Sequence, residues 1–252
     1  MTRRILVTGA ASGLGAALVR AWRARGDEVL ATDVAGAAAD LRLDVTSDDD
    51  WSAALDHVER TWGGLDVLVN NAGIAGGGRL DVATVEEWQR LVDVNLLGAV
   101  RGTRVFTPLL KRQRSGHVVN VASLAGLVHP AGMAPYNAVK AAVVALTETT
   151  GHELAAHGVR ATAVCPSYFR SALMSSMTGS DAAVGAVVRR LVEESPLTAD
   201  DVAAEVLAGL DRGEELVVPD EAARAAWRLK QDDRPGYDAL MRQQARKLEE
   251  QA

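Results

Sequence analysis

The chain has 252 residues, 48% hydrophobic and 24% charged, with a formal net charge of −6 and one cysteine, Cys165. That size and apolar content suit a single α/β domain, and the acidic balance argues against a nucleic-acid-binding surface. A lone cysteine excludes an internal disulfide and any multi-cysteine metal site. The apolar run in the amino-terminal "MTRRILVTGAASGLG" is too short for a signal peptide or membrane span, so a soluble cytoplasmic protein is expected.

In chain order, short Val- and Leu-rich runs alternate with longer helical patterns. The runs are "RRILVT", "DEVLATD", "DLRLDV", "LDVLVN", "GHVVNVAS", "RATAVCP" and "EELVVP". Nearly continuous apolar strands of this kind mark a parallel sheet covered on both faces. Helical periodicity lies between most of them, over Leu14–Gly26, Ser47–Trp62, Val85–Arg112, Ala134–His157 and Ala199–Arg212. The alternation predicts an α/β fold: a doubly wound parallel sheet of about seven strands with helices on both faces and right-handed crossovers. Ala72–Leu80 and Ser175–Gly185 read as loops within one domain spanning residues 1–252. From Pro219 the chain turns charged and helical, with a break at Arg234-Pro235-Gly236, so residues of about 220–252 are expected as a surface helix and tail.

Two features sit at strand ends. After the first run, "TGAASGLG" places Gly9, Gly13 and Gly15 directly before a helix. Such glycines permit a tight turn and close approach of a pyrophosphate to the helix N-terminus, the Rossmann arrangement. Asp33 ends the second run about 18 residues beyond Gly15. An acid there can accept from the adenosine ribose hydroxyls and would repel a 2′-phosphate. With Val34 following it and Ser12 in the turn, no cation is offered to such a phosphate at either place, which predicts NAD(H) over NADP(H).

From Thr8 to about Pro219 the chain resembles the short-chain dehydrogenase/reductase family in its compact single-domain branch. The resemblance rests on "TGAASGLG", "LDV" with Asp44, "NNAG" at Asn70–Gly73, "VNLLG" with Asn95, "VNVASLAG" with Ser123, "YNAVK" with Tyr136 and Lys140, and "CPSYFRS". It implies that Gly9, Gly13 and Gly15 cradle the pyrophosphate, with Ser12 and Leu14 lining the turn. Asp44 and Val45 would contact adenine, and Asn71, Ala72 and Gly73 would pack along the adenosine side. Ser123, Tyr136 and Lys140 would form the catalytic triad, completed to a tetrad by Asn95. Tyr136 and Lys140 would also touch the cofactor, Lys140 at the nicotinamide ribose, and Pro166 and Ser171 would flank the nicotinamide. Family members are commonly dimers or tetramers, and the helices around Asn95 and Lys140 are apolar over more than one face, so a homodimer or homotetramer is expected. Two matches depart from the pattern: Ser167 stands where Gly is usual, and Ser171 where Thr is. Only ten residues separate Asp33 from Asp44, too few for the usual crossover helix, and a loop is expected there.

Tyr136 and Lys140 are four apart, hence neighbours on a helix surface. A phenol with a pKa near 10 is a poor base at neutral pH, and a nearby ammonium is expected to lower that value. Ser123 can donate to the substrate oxygen and hold it close to Tyr136, which is acid–base catalysis with positioning. The expected activity is NAD(H)-dependent interconversion of a secondary alcohol and a ketone. The alternatives are an NADPH-dependent 3-oxoacyl reductase, or a non-catalytic cofactor-binding sensor of the same fold. Asn95, an amide in an apolar helical run, is read as part of a water-linked proton path to Lys140, against the plainer role of a core hydrogen bond. A substrate lid is expected over about 167–198, where Phe169, Leu173, Met174 and Met177 suggest a partly apolar small-molecule alcohol or ketone. His129 is a lesser candidate for substrate contact, Arg170 for an anionic substrate group, and Cys165 reads as a core residue. His152 and His157 lie near a helix end, where positive charge suits the dipole. No residue set has metal-ligand spacing.

Overall fold

The computed structural model describes residues 2–35, 39–171 and 179–250. Seven parallel strands make one sheet: β1 (Arg4–Thr8), β2 (Glu28–Asp33), β3 (Leu41–Arg42), β4 (Val67–Asn70), β5 (Gly116–Val121), β6 (Val159–Val164) and β7 (Leu216–Val217). Their spatial order is β3-β2-β1-β4-β5-β6-β7, as a doubly wound sheet requires. Successive strand residues face opposite sides. Ile5 and Val7 therefore pack under α1 (Gly13–Ala24) and α8 (Ala199–Arg212), with Leu18, Trp22 and Val206. Leu6, between them, packs under α2 (Asp48–Trp62) and α4 (Gly98–Gln113), with Trp51 and Phe106. Those two rings meet edge to face with centroids 6.4 Å apart.

Among the described residues, five helices begin where a side chain takes a free backbone N–H. Ser47 does this for α2, Thr84 for α3 (Val85–Leu91), Asp181 for α7 (Ala182–Glu193), Thr198 for α8 and Asp220 for α9 (Glu221–Asp232). At α1 the N-cap Ser12 makes no such bond, and no acid stands in the first turn. That helix end keeps its N–H groups and its positive pole for something else.

Four elements differ from the sequence reading or refine it. Val85–Arg112 is not one regular helix: a π-helical turn, Val92–Leu97, separates α3 from α4. A four-residue helix, α5 (Ala125–Val128), precedes α6 (Ala134–Leu154), which ends in a short 3₁₀ turn at Ala155–His157. Between β2 and β3 no helix occurs among the described residues; the Asp40 carboxylate closes the connection by accepting from Ala31 N at 2.8 Å. Finally, the Pro-Gly taken as a break instead opens α10 (Arg234–Glu250). Asp233 Oδ1 accepts from Gly236 N at 2.9 Å, and Pro235 sits in the first turn, where its missing N–H costs nothing. This helix is no loose tail. Tyr237 and Leu248 are buried, and the Tyr237 hydroxyl donates to Val128 O at 2.6 Å.

Candidate active site

The chain reverses direction across the sheet between β1 and β4, and their carboxyl ends open a crevice there. Thr8 and Asn71 fasten its two walls. Thr8 Oγ1 accepts from Asn71 N and Ala72 N, both at 3.0 Å, and Asn71 Nδ2 donates to Thr8 O at 2.8 Å and Gly9 O at 3.1 Å. Gly9 has φ +65°, and a Cβ there would lie 2.7 Å from Ala72 Cα. A Cβ on Gly15 would run into the Gly9 carbonyl. Both close approaches need glycine. Gly13, also at positive φ, has among the described residues only Ser171 Cβ near it, 3.7 Å from where its own Cβ would be. Ser12, Gly13 and Leu14 thus form an uncapped helix entrance facing Ser171. Asp33 ties the turn to β2, its Oδ2 accepting from Ala11 N at 3.0 Å while Oδ1 accepts from Ala35 N at 3.1 Å. These residues fit a dinucleotide: a backbone cradle at a free helix pole, flanked by an acid.

Ser123, Tyr136 and Lys140 come together beyond β5. Ser123 Oγ accepts from Ala125 N at 3.1 Å, which leaves its own proton to donate. Lys140 reaches back from α6 under the Tyr136 ring, with Nζ 5.7 Å from the ring centroid, and donates to Val121 O at 2.9 Å. Burial pushes the Lys140 ammonium down to about 8. It also pushes the Tyr136 phenol up to about 12, although the Ser123 side chain pulls the other way. The expected lowering of the phenol by its lysine is therefore not what this geometry gives: the ammonium is turned to a carbonyl, and desolvation dominates. Asn95 lies in the π turn, buried, with Oδ1 accepting from Ile74 N at 2.8 Å and Nδ2 donating to Ile74 O at 3.0 Å. Its amide staples the loop after β4, the plainer of the two roles considered for it.

A family model described as short chain dehydrogenase matches residues 3–182. The chain belongs to the short-chain dehydrogenase family. It is 37% identical over 173 residues to a 3-alpha-(or 20-beta)-hydroxysteroid dehydrogenase of Mycobacterium bovis, a match spanning 64% of this chain and 66% of that protein, just under two thirds of its length. It is 35% identical over 232 residues to the 2-(R)-hydroxypropyl-CoM dehydrogenase of Xanthobacter autotrophicus, covering 84% of this chain and 93% of the relative. Among solved structures, a short chain dehydrogenase/reductase from Burkholderia phymatum in complex with NAD superposes with a TM-score of 0.86 at 30% identity, covering 92% of this chain and 94% of that one. One from Burkholderia cenocepacia in complex with NADP gives 0.81 at 27%, covering 96% and 99%. The family therefore includes both nicotinamide cofactors.

Other short-chain dehydrogenase positions resolve as follows. Asp44 Oδ1 accepts from Thr46 N at 2.9 Å, and the residue stays half-exposed. Val45 turns its side chain into the core and gives its carbonyl to Trp51 Nε1, which leaves Asp44 as the polar group there. Gly73 lies beside Asn95, its would-be Cβ 3.0 Å from Oδ1. Pro166 O accepts from Leu124 N at 2.9 Å, joining the strand end to the Ser123 loop. Ser167 has no positive φ, so the backbone there does not need the usual glycine.

Arg170 donates to Ser195 O and Pro196 O, so it braces the chain before α8 instead of awaiting an anion. His129 is held by Gly126 O and Lys230 Nζ, and the Cys165 thiol is sealed in the core, pushed up to about 12 by burial. Phe169 packs against the α1–α8 core, not over the substrate side. Leu173, Met174 and Met177 lie outside the described residues. The residue the sequence reading missed is Tyr168, which packs with Tyr136 in an apolar cluster of Met133, Val184, Val188 and Leu248. Strand-like alternation after Pro166 was the available signal, since it turns 168 and 169 to opposite sides. Among the described residues no group of three metal-ligating side chains occurs, and no helix is long and apolar enough to cross a membrane.

Proposed function

We propose that the protein interconverts a secondary alcohol and a ketone using NAD(H), with Tyr136 as the acid–base group. The reading is carried by one observation: Ser123, Tyr136 and Lys140 gather at the same sheet edge as a glycine cradle whose helix pole lacks a side-chain cap. When bound, the nicotinamide supplies or takes the hydride, and in its oxidised form brings a positive charge. The protein's own residues handle the oxygen. Ser123 donates to the carbonyl oxygen and holds it at the phenol. Burial keeps the phenol protonated and makes it a weak acid, but an alkoxide forming on the substrate is the stronger base, so in the reductive direction the Tyr136 O–H bond breaks and its proton goes to that oxygen. The phenolate left behind forms with the Lys140 ammonium 5.7 Å from its ring centroid and draws on that charge only once Nζ turns from Val121 O; oxidation runs the same transfer in reverse. Asn95 supports the site by holding Ile74 through both ends of its amide.

NAD(H) is favoured by Asp33 and by the pairing of the nearby cations, Arg23 with Asp40 and Arg42 with Asp50. The substrate is read as a small, partly apolar molecule, and α4 and α6 as faces of a homodimer or homotetramer. A panel of secondary alcohols and ketones assayed with both nicotinamides tests the whole reading. Tyr136→Phe is expected to lose roughly 10²–10⁴-fold in kcat. Near-wild-type turnover in that variant removes the mechanism, and preference for NADP(H) removes the cofactor assignment.

A further inference from the structure

Among the described residues, Tyr168 is a polar group packed into the same cluster as Tyr136 that the mechanism above does not use. Its backbone is fixed from outside the site: Ser195 Oγ donates to Tyr168 O at 2.8 Å, and two residues on, Arg170 N donates to Leu197 O at 2.9 Å. Its ring packs with Tyr136 into the cluster formed by Met133, Val184, Val188 and Leu248. That cluster draws on the β5–α6 loop, α7 and α10. The Tyr168 hydroxyl has no hydrogen-bond partner among the described residues, and it is not among the sealed polar atoms of the core. Burial holds it protonated, and its proximity is felt at Tyr136. At working pH it can act only as a donor or as a weak acceptor.

The reacting oxygen does not need a third donor. A carbonyl oxygen has two lone pairs, and the Ser123 and Tyr136 hydroxyls satisfy both. A donor beside them is then left for a different atom of the substrate. If nothing accepts from it when the enclosure fills, a desolvated hydroxyl stays unpaired, which penalises the wrong substrate. Resting on the alcohol–ketone reading above, we infer that Tyr168 is a specificity-determining residue whose hydroxyl donates to a second oxygen next to the reacting carbon. The substrate class is accordingly a hydroxy ketone or dicarbonyl, or the matching diol, carried on an apolar frame that packs against Met133, Val184 and Leu248.

The test compares cyclohexanone with 2-hydroxycyclohexanone, which share a frame and differ by the second oxygen. Wild type, Tyr136→Phe and Tyr168→Phe are assayed for kcat/KM with NADH, alongside NADH affinity and melting temperature. Wild type is expected to prefer the hydroxy ketone. Tyr168→Phe is expected to lose about tenfold on it, while cyclohexanone is unchanged or improves, since no hydroxyl is left unpaired, and NADH affinity is unchanged. Equal loss on both ketones would mean that Tyr168 serves Tyr136 and not the substrate; no loss on either would mean that it only packs. Either result overturns the inference while leaving the Tyr136 mechanism standing. A wild type that reduces neither ketone overturns both. Should Tyr168→Phe fail to fold, Tyr168→His, which keeps a donor, is expected to retain the preference, and its disappearance there counts against the inference.

Discussion

The crevice between β1 and β4 and the enclosure beyond β5 and β6 share one sheet edge but are built differently. The first is a backbone construction. Glycines bring main chains together at Gly9–Ala72 and Gly15–Gly9, and Thr8 and Asn71 each bind main-chain atoms of the other across the β1–β4 seam. The second is a side-chain construction gathered from Met133, Tyr168, Val184 and Leu248, over more than a hundred residues of chain. Its frame is ionic and centred on the buried Asp181. Arg79 Nε donates to Asp181 Oδ2 at 2.9 Å, and its Nη1 lies 3.6 Å from Glu249. Although burial pushes the Asp181 carboxyl up, the Arg79 pair and the α7 backbone hold it below the ordinary range. A site made of backbone tolerates almost no change of residue type, whereas a site made of side chains can be re-cut one residue at a time.

That contrast can be broken or sharpened by three substitutions of decreasing effect. Gly15→Ala forces a methyl into the Gly9 carbonyl, and the crevice has nothing flexible to yield. Expected are a stability loss of about 3 kcal/mol and NADH binding weakened by at least about 100-fold, read by denaturant midpoint and fluorescence titration. Unchanged binding would show that the cradle has more give than its contacts suggest. Leu248→Ala should act on the other half alone. The cavity is expected to cost about 2–3 kcal/mol and to lower kcat/KM for apolar ketones, with NADH affinity untouched. Weaker NADH binding in that variant would mean the two halves are coupled.

The effect that is smallest at neutral pH belongs to a residue in neither half. His117 is buried at the opposite end of the sheet, next to Thr162 Oγ1 at 2.8 Å, and burial pushes its imidazole down to about 4. The unfolded chain binds this proton below about 6.5 and the folded chain only below about 4, so stability should fall as pH drops through that window. His117→Asn is expected to flatten that fall by an amount on the order of 3 kcal/mol at full protonation, leaving turnover at neutral pH intact. Melting curves between pH 7 and 4 decide it, and an unchanged slope would assign the acid sensitivity to other groups.

The same division explains what could be read from residues alone. The glycine turn, Asp33 and the Ser123–Tyr136–Lys140 set are legible because local spacing fixes them. The bounds of α8 fell at Ala199 and Arg212 for a similar reason: Thr198 and Asp201 make a capping box at one end, and Gly213 adopts φ +76° at the other. Tyr168 and Leu248 carry no such mark, because their meaning lies in contacts between distant segments. Phe169 and Tyr168 show how narrow the margin is, one residue of alternation deciding which faces the core. The Pro-Gly pair before α10 misled in another way, since proline marks the first turn of a helix as readily as the end of one. The charge state of Tyr136 was illegible too, because desolvation depends on everything packed around it.

The π turn that displays Asn95 has a geometric price further along. It places one surplus residue in the helical ladder, and each residue advances a helix by about 100°. All of α4 is rotated to match, which brings Gly98 beneath Val45 and Gly102 beneath the Trp51 ring, where larger groups would collide. Excising the surplus residue would yield a straighter rod with a full set of bonds, and it would swing bulkier neighbours into those two notches. An irregularity that looks removable is thus locked in by the packing downstream of it.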